Sequence, residues 1–211
     1  MTQVMSRKNN FIYILDDKIY VNLTNACTND CLFCIRREKD DVVGTNMKLS
    51  CRPSFEVVTN QIKENASLLD KGVTFCGYGE PLIELDVLVM TAKFIKRISP
   101  MTKIKINTNG HANAYHKKDI VPLLNGIIDE VSISLNAQNE SLYEELCLPK
   151  IPNAYNEMIS FAKKCVENNI KTTMTVVTNY KNYDIDIQEC RNIAHKIGAD
   201  FRERPWIENG Y

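Results

Sequence analysis

The sequence has no excess of charge of either sign, because 26 Lys and Arg residues balance 26 Asp and Glu residues. A balanced chain has no global field that favours nucleic acid or an anionic lipid surface as a partner. It also lacks an apolar run long enough to cross a bilayer, and its first ten residues lack the apolar core of a secretory signal. These absences predict a cytoplasmic protein with no membrane association and no clear nucleic-acid binding.

The chain also has no Gly/Ser linker, no low-complexity segment and no close sequence repeat. Its 211 residues suit one domain with a sizeable core and are too few for two ordinary domains. We therefore expect a single domain over residues 1–211, in which residues 1–17 form an N-terminal extension or hairpin.

Eight cysteines are present, but a disulfide scaffold is normally a short secreted chain, whereas this chain has enough apolar sequence to fold without disulfides. Cys76, Cys147, Cys165 and Cys190 each stand alone among apolar or helical residues, which predicts small buried hydrophobic side chains. The cysteines beyond Cys34 do not cluster, so we expect no second cluster-binding domain.

What does recur is a β-like run, a loop and an amphipathic helix, six times along the chain. The predicted core strands are 18–24, 73–77, 103–108, 130–135, 171–178 and 200–204. The predicted helices begin after the N-cap residue Ser54 and continue with 86–97, 115–124, 140–147, 155–168 and 184–197. An additional strand is expected over 11–15 and the residues before it, with Asp16-Asp17 as the turn into the first core strand.

Alternating strands and helices pair in parallel through right-handed crossovers. Six units of roughly 30 residues each fill the chain, whereas a closed barrel of eight units takes about 250 residues. The pattern therefore predicts an α/β fold, either an open partial (β/α)6 barrel or an open doubly wound sheet. In both, the active site belongs at the carboxyl ends of the strands.

Three cysteines, Cys27, Cys31 and Cys34, stand on a short loop directly after the first core strand. Three thiolates hold three corners of a [4Fe-4S] cube and leave the fourth iron without a protein ligand. An iron with an open position binds a substrate or cofactor and acts on it, as a catalytic metal does. Two alternatives stay open: a zinc loop completed by Cys51 or a distant histidine, and an electron carrier with Cys51 as the fourth cluster ligand.

A second motif, Cys76-Gly-Tyr-Gly-Glu-Pro81, closes the second core strand. Its glycines let the backbone approach a ligand, Pro81 stiffens the exit, and Glu80 accepts hydrogen bonds from a cationic amine. The alternative interpretation is an ordinary turn between a strand and a helix.

Three later core strands also end in polar residues, namely Asn107 and Asn109, Ser134 and Asn136, and Arg202 and Arg204. Alternation along a strand places Ser134 and Asn136 on one side, and an arginine here can pair with a carboxylate. The alternatives are polar residues that cap a strand and a solvated arginine. The three histidines lack ligand spacing and are interpreted as structural or surface residues.

The sequence resembles the radical S-adenosylmethionine (SAM) superfamily, whose loop reads Cys-x-x-x-Cys-x-aromatic-Cys, with Phe33 as the aromatic residue. In particular it is similar to the small TatD family-associated radical SAM proteins, in the segments 20–34, 75–82, 106–110 and 131–137. The resemblance implies an open three-quarter (β/α)6 barrel. Tyr78 replaces the first glycine of the family's Gly-Gly-Glu segment, and Asn107 stands where glycyl-radical activating enzymes have an aspartate.

The resemblance also implies the cofactors and their ligands. The three cysteines would bind a [4Fe-4S] cluster, and its open iron would be chelated by the methionine part of SAM. The segment around Glu80 would receive the amino group of SAM, and Ser134 and Asn136 its ribose. The full set of implied cofactor contacts is Phe33, Tyr78, Gly79, Glu80, Pro81, Asn107, Asn109, Ser134, Asn136 and Arg204.

The implied reaction begins with reduction of the cluster by a low-potential donor, ferredoxin or flavodoxin. SAM is then cleaved to methionine and a 5′-deoxyadenosyl radical, which abstracts hydrogen from an unidentified substrate. The family name suggests a TatD-like hydrolase in the same pathway. Because six units leave the barrel open, we also expect a large substrate, a partner protein or a second copy of the chain to cover the open side.

Overall fold

The computed structural model describes residues 9–42 and 44–207. Its strands are β1 (Ile12–Leu15), β2 (Lys18–Val21), β3 (Asp41–Val42), β4 (Thr45–Asn46), β5 (Val73–Phe75), β6 (Ile104–Thr108), β7 (Glu130–Ser134), β8 (Lys171–Thr178) and β9 (Asp200–Pro205). Its α-helices are α1 (Phe55–Glu64), α2 (Leu85–Ile98), α3 (Ala112–His116), α4 (Val121–Leu124), α5 (Glu140–Cys147), α6 (Ala154–Glu167) and α7 (Ile187–Ile197). Short 3-10 turns cover Ile35–Arg37, Ala66–Lys71 and Pro81–Glu84.

Seven strands form one sheet in the order β1-β2-β5-β6-β7-β8-β9. β1 is antiparallel to β2, and all later neighbours are parallel and follow the order of the sequence. Each crossover therefore moves one strand further in the same direction. Among the described strands β1 and β9 do not pair with each other, so the sheet stays open. The predicted α/β class, with an open partial barrel and an extra N-terminal strand, is confirmed.

β8 is buried on both faces from Thr172 to Val177, as is usual for parallel strands flanked by helices, and β6 and β7 each have one fully buried face. Ile104 and Ile106 of β6 and Val131 and Ile133 of β7 have no exposed surface. Full burial of each such side chain stabilises the fold by about 1.5–3 kcal/mol. Within the described ranges, no helix has both the length and the apolar character that a membrane span requires.

The N-terminal hairpin forms where the sequence predicts it. Asp16 and Asp17 both have left-handed backbones, with φ of 50° and 57°, as the two-residue turn of a tight hairpin requires. The strand predicted over 11–15 is found at Ile12–Leu15. The part of that prediction that falls on residues 1–8 lies outside the described residues.

Two of the differences between the predicted and the observed helix boundaries have a clear local cause. The single helix predicted over 115–124 is wrong, because Lys117 has a φ of 52° and Pro122 begins a separate helical turn, so α3 and α4 form instead. The helix predicted from Asp184 starts at Ile187, where the Asp186 side chain accepts a hydrogen bond from the Glu189 amide. The predicted N-cap, Ser54, is confirmed by its bond from the Val57 amide.

A small hairpin of β3 and β4 lies between Cys34 and Cys51, and the sequence analysis does not predict it. Val42 and Met47 from this region pack with Tyr13 and Tyr78 in a separate apolar cluster. The cluster covers the start of the glycine segment, which is defined here as residues 77–81.

Candidate functional site

The three cysteines lie half-buried on the loop after β2, at the carboxyl end of the sheet. This cysteine loop, residues 22–34, is held from two sides. The Glu80 amide donates a hydrogen bond to the Ala26 carbonyl (2.8 Å), and the Lys150 amide donates one to the Thr28 carbonyl (2.7 Å). The loop is thereby fixed between the end of β5 and the segment that follows α5.

Two arginines directly after the loop fold back and brace it. Arg36 donates from its terminal nitrogens to the carbonyls of Asn25 (3.0 Å) and Asn29 (3.1 Å). Arg37 donates from Nε to the Cys31 carbonyl (2.9 Å). The loop conformation therefore depends on two side chains outside the motif.

Burial dominates the ionisation of the Cys27 and Cys34 thiols. It raises the pKa of the Cys27 thiol to about 12, and the negative charge of Glu80 adds to this effect. Burial also raises the pKa of the Cys34 thiol, while hydrogen bonding and the positive charge of Arg36 oppose the shift. Without a metal these thiols are protonated at neutral pH, so binding of iron has to displace their protons.

The glycine segment packs directly on the cysteine loop. A Cβ on Gly79 would lie 2.3 Å from the Ala26 carbonyl oxygen, and one on Gly77 would lie 2.1 Å from Asn22 Oδ1. Both distances are far below van der Waals contact. These two positions therefore require glycine because another backbone or side chain occupies the space of a Cβ.

Glu80 is buried, with an exposed fraction of 4%, and both of its oxygens have partners. Oε1 accepts from Thr108 Oγ1 (2.8 Å) and from the Leu82 amide (3.1 Å), and Oε2 accepts from the Asn109 amide (2.8 Å). Burial raises the pKa of Glu80 to about 7 although these hydrogen bonds favour the carboxylate. The carboxylate ties the end of β5 to the end of β6. The contact of Glu80 with the amino group of SAM stays a prediction. The amino group would be a further hydrogen-bond donor to a carboxylate that already accepts three hydrogen bonds.

Asn109 connects the end of β6 to the cysteine loop. Its Nδ2 donates to Thr28 Oγ1 (2.7 Å) and lies 3.7 Å from Cys27 Sγ. Its Oδ1 accepts from the His111 amide (3.1 Å). The structure therefore places this predicted cofactor residue beside a predicted cluster ligand.

A buried chain of hydrogen bonds continues from this contact. His111 Nδ1 lies 3.0 Å from Thr28 Oγ1, and its Nε2 lies 3.0 Å from Tyr143 Oη. Asn29 Nδ2 donates to the same Tyr143 hydroxyl (3.0 Å). Burial lowers the pKa of His111 to about 4, so at neutral pH one ring nitrogen donates and the other accepts. His111 therefore links the cysteine loop to α5, in agreement with its interpretation as a structural residue.

Asn107 and Asn136 each have a buried side-chain oxygen that finds no partner among the described residues. Asn136 has a φ of 60°, and its amide and that of Leu135 both donate to the Thr175 carbonyl. The regular alternation used to orient Asn136 therefore ends at Ser134, the half-buried last residue of β7. A buried amide oxygen without a donor is costly unless a ligand reaches it.

The remaining predicted contacts lie around the same end of the sheet. Phe33 packs edge-on against Tyr180, with ring centroids 5.7 Å apart, and Tyr180 Oη donates to the Leu32 carbonyl (3.0 Å). Burial raises the pKa of the Cys76 thiol, and a hydrogen bond with Asn107 and the charge of Arg204 oppose this shift. Arg204 thus acts across the sheet on the residue that precedes the glycine segment. Pro81, buried, begins the 3-10 turn after Glu80.

The cysteines outside the cysteine loop differ in their surroundings. Cys165 and Cys190 are fully buried in helices, as predicted for small hydrophobic residues. Cys147 is also fully buried, as predicted, and its Sγ accepts a hydrogen bond from Asn136 Nδ2 (3.5 Å). Cys51 is exposed and accepts a hydrogen bond from Asn9 Nδ2 (3.1 Å).

Several residues that help to build this site lie outside the sequence motifs, namely Asn22, Arg36, His111, Tyr143 and Cys147. The basic pair Arg36-Arg37 stands two residues after the last motif cysteine, and this proximity is the one signal that the sequence offers. The others reach the site through tertiary contacts, for which one sequence contains no periodic signature.

The three thiols of the braced loop match the donor set that a protein gives to a [4Fe-4S] cube when one iron stays open. Within residues 9–42 and 44–207, no three His, Cys, Asp or Glu side chains lie close enough together to ligate one metal ion. In a [4Fe-4S] cube each of three thiolates binds a different iron, so the sulfurs need not converge. Three thiols on one braced loop and the unpaired oxygens of Asn107 and Asn136 fit such a cluster with a polar ligand beside it.

A cavity of about 520 Å³ lies at the opposite end of the sheet. It is lined by Glu130, Lys171 and Asp200, the first residues of β7, β8 and β9, and by Arg191 and Arg202. We assign the functional site to the carboxyl ends instead, because the thiols, the glycine segment and the unpaired amide oxygens meet there.

The profile of the Radical SAM superfamily matches residues 21–192, which is most of the chain. The chain belongs to the radical SAM superfamily. Members of this superfamily use a [4Fe-4S] cluster and SAM, and the matched range contains all three cysteines and all predicted cofactor residues except Arg204.

Among known proteins, the chain is 28% identical to GTP 3',8-cyclase of Clostridium perfringens (strain SM101 / Type A) over 187 residues, which are 88% of this chain and 54% of that protein. The chain thus spans about half the length of this relative. It also resembles SuiB of Streptococcus suis, bound to precursor peptide SuiA (TM-score 0.64, 21% identity, 90% of this chain and 39% of that chain) and to S-adenosylmethionine (TM-score 0.63, 20% identity, 89% and 40%). These structures support the partial-barrel fold.

Proposed function

We propose that this chain is the core of an enzyme in which Cys27, Cys31 and Cys34 hold a [4Fe-4S] cluster for the reductive cleavage of SAM. The observation that carries this proposal is the braced three-thiol loop, which touches the ends of β5 and β6 at the glycine segment and Asn109. When bound, the two cofactors supply a 5′-deoxyadenosyl radical that abstracts hydrogen from a substrate. The family membership of the chain supports this chemistry.

The chain's own residues have three tasks in this proposal. The thiols release their protons to bind iron, and Arg36 offsets part of the negative charge that results. The glycine segment brings backbone groups close to the ligand, and the free oxygens of Asn107 and Asn136 accept hydrogen bonds from it. Arg204 pairs with a carboxylate of SAM or of the substrate.

We also propose that ferredoxin or flavodoxin supplies the electron, and that a large substrate, a partner protein or a second copy of the chain covers the open side. A TatD-like hydrolase in the same pathway belongs to this proposal through the family resemblance alone. The open edge of the sheet supports a cover on this side. Such a cover would exclude water from the site, and the exclusion of water protects reactive intermediates.

The test uses the protein reconstituted with iron and sulfide under anaerobic conditions. With SAM and a strong reductant, the unaltered protein should release 5′-deoxyadenosine and methionine in equal amounts. Replacing any one of Cys27, Cys31 and Cys34 by Ala should abolish both the stable cluster and the products, whereas the control Cys51→Ala should keep them. Stoichiometric zinc, or loss of the cluster in the Cys51 variant, would contradict the proposal in favour of a zinc site or a four-thiolate electron carrier.

A further inference from the structure

Polar side chains share one face of the last three strands at the amino end of the sheet. Lys171 and Thr173 of β8 lie on the same face, because side chains alternate along a strand. Glu130 of β7 is in register with Lys171, and Asp200 of β9 is in register with Thr173. All four line the cavity of about 520 Å³, together with Arg202. A cavity of this size suits a small molecule.

The charges around the cavity leave one cation without a close partner. Three cations and two carboxylates line it, namely Lys171, Arg191, Arg202, Glu130 and Asp200. Glu130 is neutralised from two sides, by Lys105 Nζ (2.5 Å) and Lys171 Nζ (3.7 Å). Arg191 pairs with Glu203 (3.0 Å). The charge of Arg202 acts on Glu130, but among the described residues no carboxylate oxygen lies within 4 Å of its guanidinium nitrogens. Arg202 can therefore bind an anionic group of a ligand.

A buried hydroxyl gives a second, independent indication of a ligand. Thr173 has an exposed fraction of 8% and lines the cavity, and its Oγ1 has no hydrogen-bond partner among the described residues. Its neighbours on β8 differ, because Thr172 Oγ1 donates to the Ile170 carbonyl (2.9 Å) and Thr175 Oγ1 to the Ile133 carbonyl (3.4 Å). A buried polar group without a partner is costly unless water or a ligand reaches it. An anion in the cavity would accept the hydrogen bond that Thr173 leaves unused.

We propose that this cavity binds a small molecule through a carboxylate or phosphate group, which Arg202, Lys171 and the Thr173 hydroxyl hold. A guanidinium group pairs with either anion through two parallel hydrogen bonds. Asp200 lines the same cavity, so its negative charge weakens the binding of an anion that carries no hydrogen-bond donor of its own.

The proposed anion site is separate from the cofactor site. β8 has eight residues, and at about 3.3 Å per residue Lys171 lies roughly 20 Å from the carboxyl end of that strand. The inference therefore goes beyond the proposed function, because the anion site requires neither the cluster nor SAM.

The experiment is an isothermal calorimetric titration of the reconstituted full chain with inorganic phosphate and, separately, with succinate. At least one of the two should bind, and the one that binds more tightly shows which anionic group the site prefers. Arg202→Gln should weaken binding by roughly tenfold to a hundredfold, because it removes a charge-assisted hydrogen bond. Asp200→Asn should strengthen binding by roughly twofold to fivefold, because it removes a negative charge from the cavity. The matched control Arg97→Gln, exposed on α2, should leave the affinity unchanged.

A titration in the presence of saturating SAM separates the anion site from the cofactor site. SAM should leave the affinity for the anion unchanged, whereas displacement of the anion by SAM would place it in the cofactor site and overturn the inference. Absence of binding by both probes would also overturn it, as would an Arg202→Gln variant that binds them as tightly as the unaltered protein. A chain that binds the anion through Arg202 but does not cleave SAM would contradict the proposed function and support this site.

Discussion

Glu80 is the residue at which burial and hydrogen bonding oppose each other most directly. Desolvation disfavours its charged form, whereas the donors from Thr108, Asn109 and Leu82 favour it. Burial has the larger effect, so the pKa is raised to about 7. His111, also buried in this network, shifts in the opposite direction, to a pKa of about 4. Both shifts favour the neutral form, and both make stability depend on pH.

We predict that Glu80→Gln changes the pH dependence of the free energy of unfolding of the cluster-free protein. Because the pKa of Glu80 is raised from 4.5 to about 7 in the folded state, its contribution is complete below pH 4.5 and is lost as the pH rises through 7. This loss amounts to roughly 3 kcal/mol at most. The variant should lack it, so its stability relative to the unaltered protein should rise between pH 5 and pH 8.

Urea unfolding at several pH values measures this difference. His111 contributes an opposite trend in both proteins, because its lowered pKa makes stability fall as the pH drops below 6.5 toward 4. The comparison between variant and unaltered protein therefore isolates Glu80. The exposed Glu64→Gln serves as control and should show no such change. Equal pH profiles for the Glu80 variant and the unaltered protein would contradict the prediction.

Tyr143→Phe tests the buried network behind the cysteine loop. The substitution removes the hydroxyl that contacts Asn29 Nδ2 and His111 Nε2, and leaves two buried polar groups without their partner. We expect the free energy of unfolding to fall by about 1–3 kcal/mol. The control is Tyr115→Phe, since Tyr115 has an exposed fraction of 44%. Urea denaturation that gives equal losses for the two variants would show that the network adds no stability.

At the scale of elements, the sequence predicts a strand or helix best where the pattern that defines it lies within one segment of the chain. The bounds of β8 and α5 agree with the prediction because a β-branched run and a capped amphipathic segment are both local patterns. The prediction fails where the cause is a single backbone angle, as at Lys117, or a strand of two residues, as in β3. It also misses the hydrogen bonds from the Asp30 and Leu32 amides to the last carbonyls of α5, because these bonds form only once α5 lies against the loop.

The close packing of the glycine segment on the cysteine loop gives a prediction at the scale of elements. Gly79→Ala places a Cβ within 2.3 Å of the Ala26 carbonyl oxygen, so the glycine segment and the loop have to move apart. We expect a loss of stability of about 1–3 kcal/mol and a reduced iron content after reconstitution. In the control Gly126→Ala, the added Cβ meets no atom within 4 Å, and the backbone strain of the φ of 76° is the only cost. Iron content equal to that of the control would show that the close packing is not needed for the cluster.

At the scale of the whole molecule, the two edges of the open sheet differ. The edge strand β1 is covered in part by α1, because Gln61 Oε1 accepts hydrogen bonds from the amides of Phe11 and Ile12 (both 3.1 Å). At the other edge, β9 pairs with β8 alone among the described strands, and five of its six residues are exposed. An unpaired edge is a template for pairing with another chain. The cover that we propose for the open side therefore belongs at β9.

Amide hydrogen exchange tests this asymmetry in the isolated chain. We expect the outward-facing amides of β9 to exchange much faster than those of the central strand β7, and the amides of Phe11 and Ile12 to be protected by Gln61. Gln61→Ala should accelerate exchange at Phe11 and Ile12 and leave β9 unchanged, whereas Gln188→Ala, on α7, should alter neither edge. Sedimentation at the same protein concentrations shows whether a second copy is bound. If β9 is protected like β7 in a chain that sediments as a monomer, the chain covers its own edge and no partner is needed there.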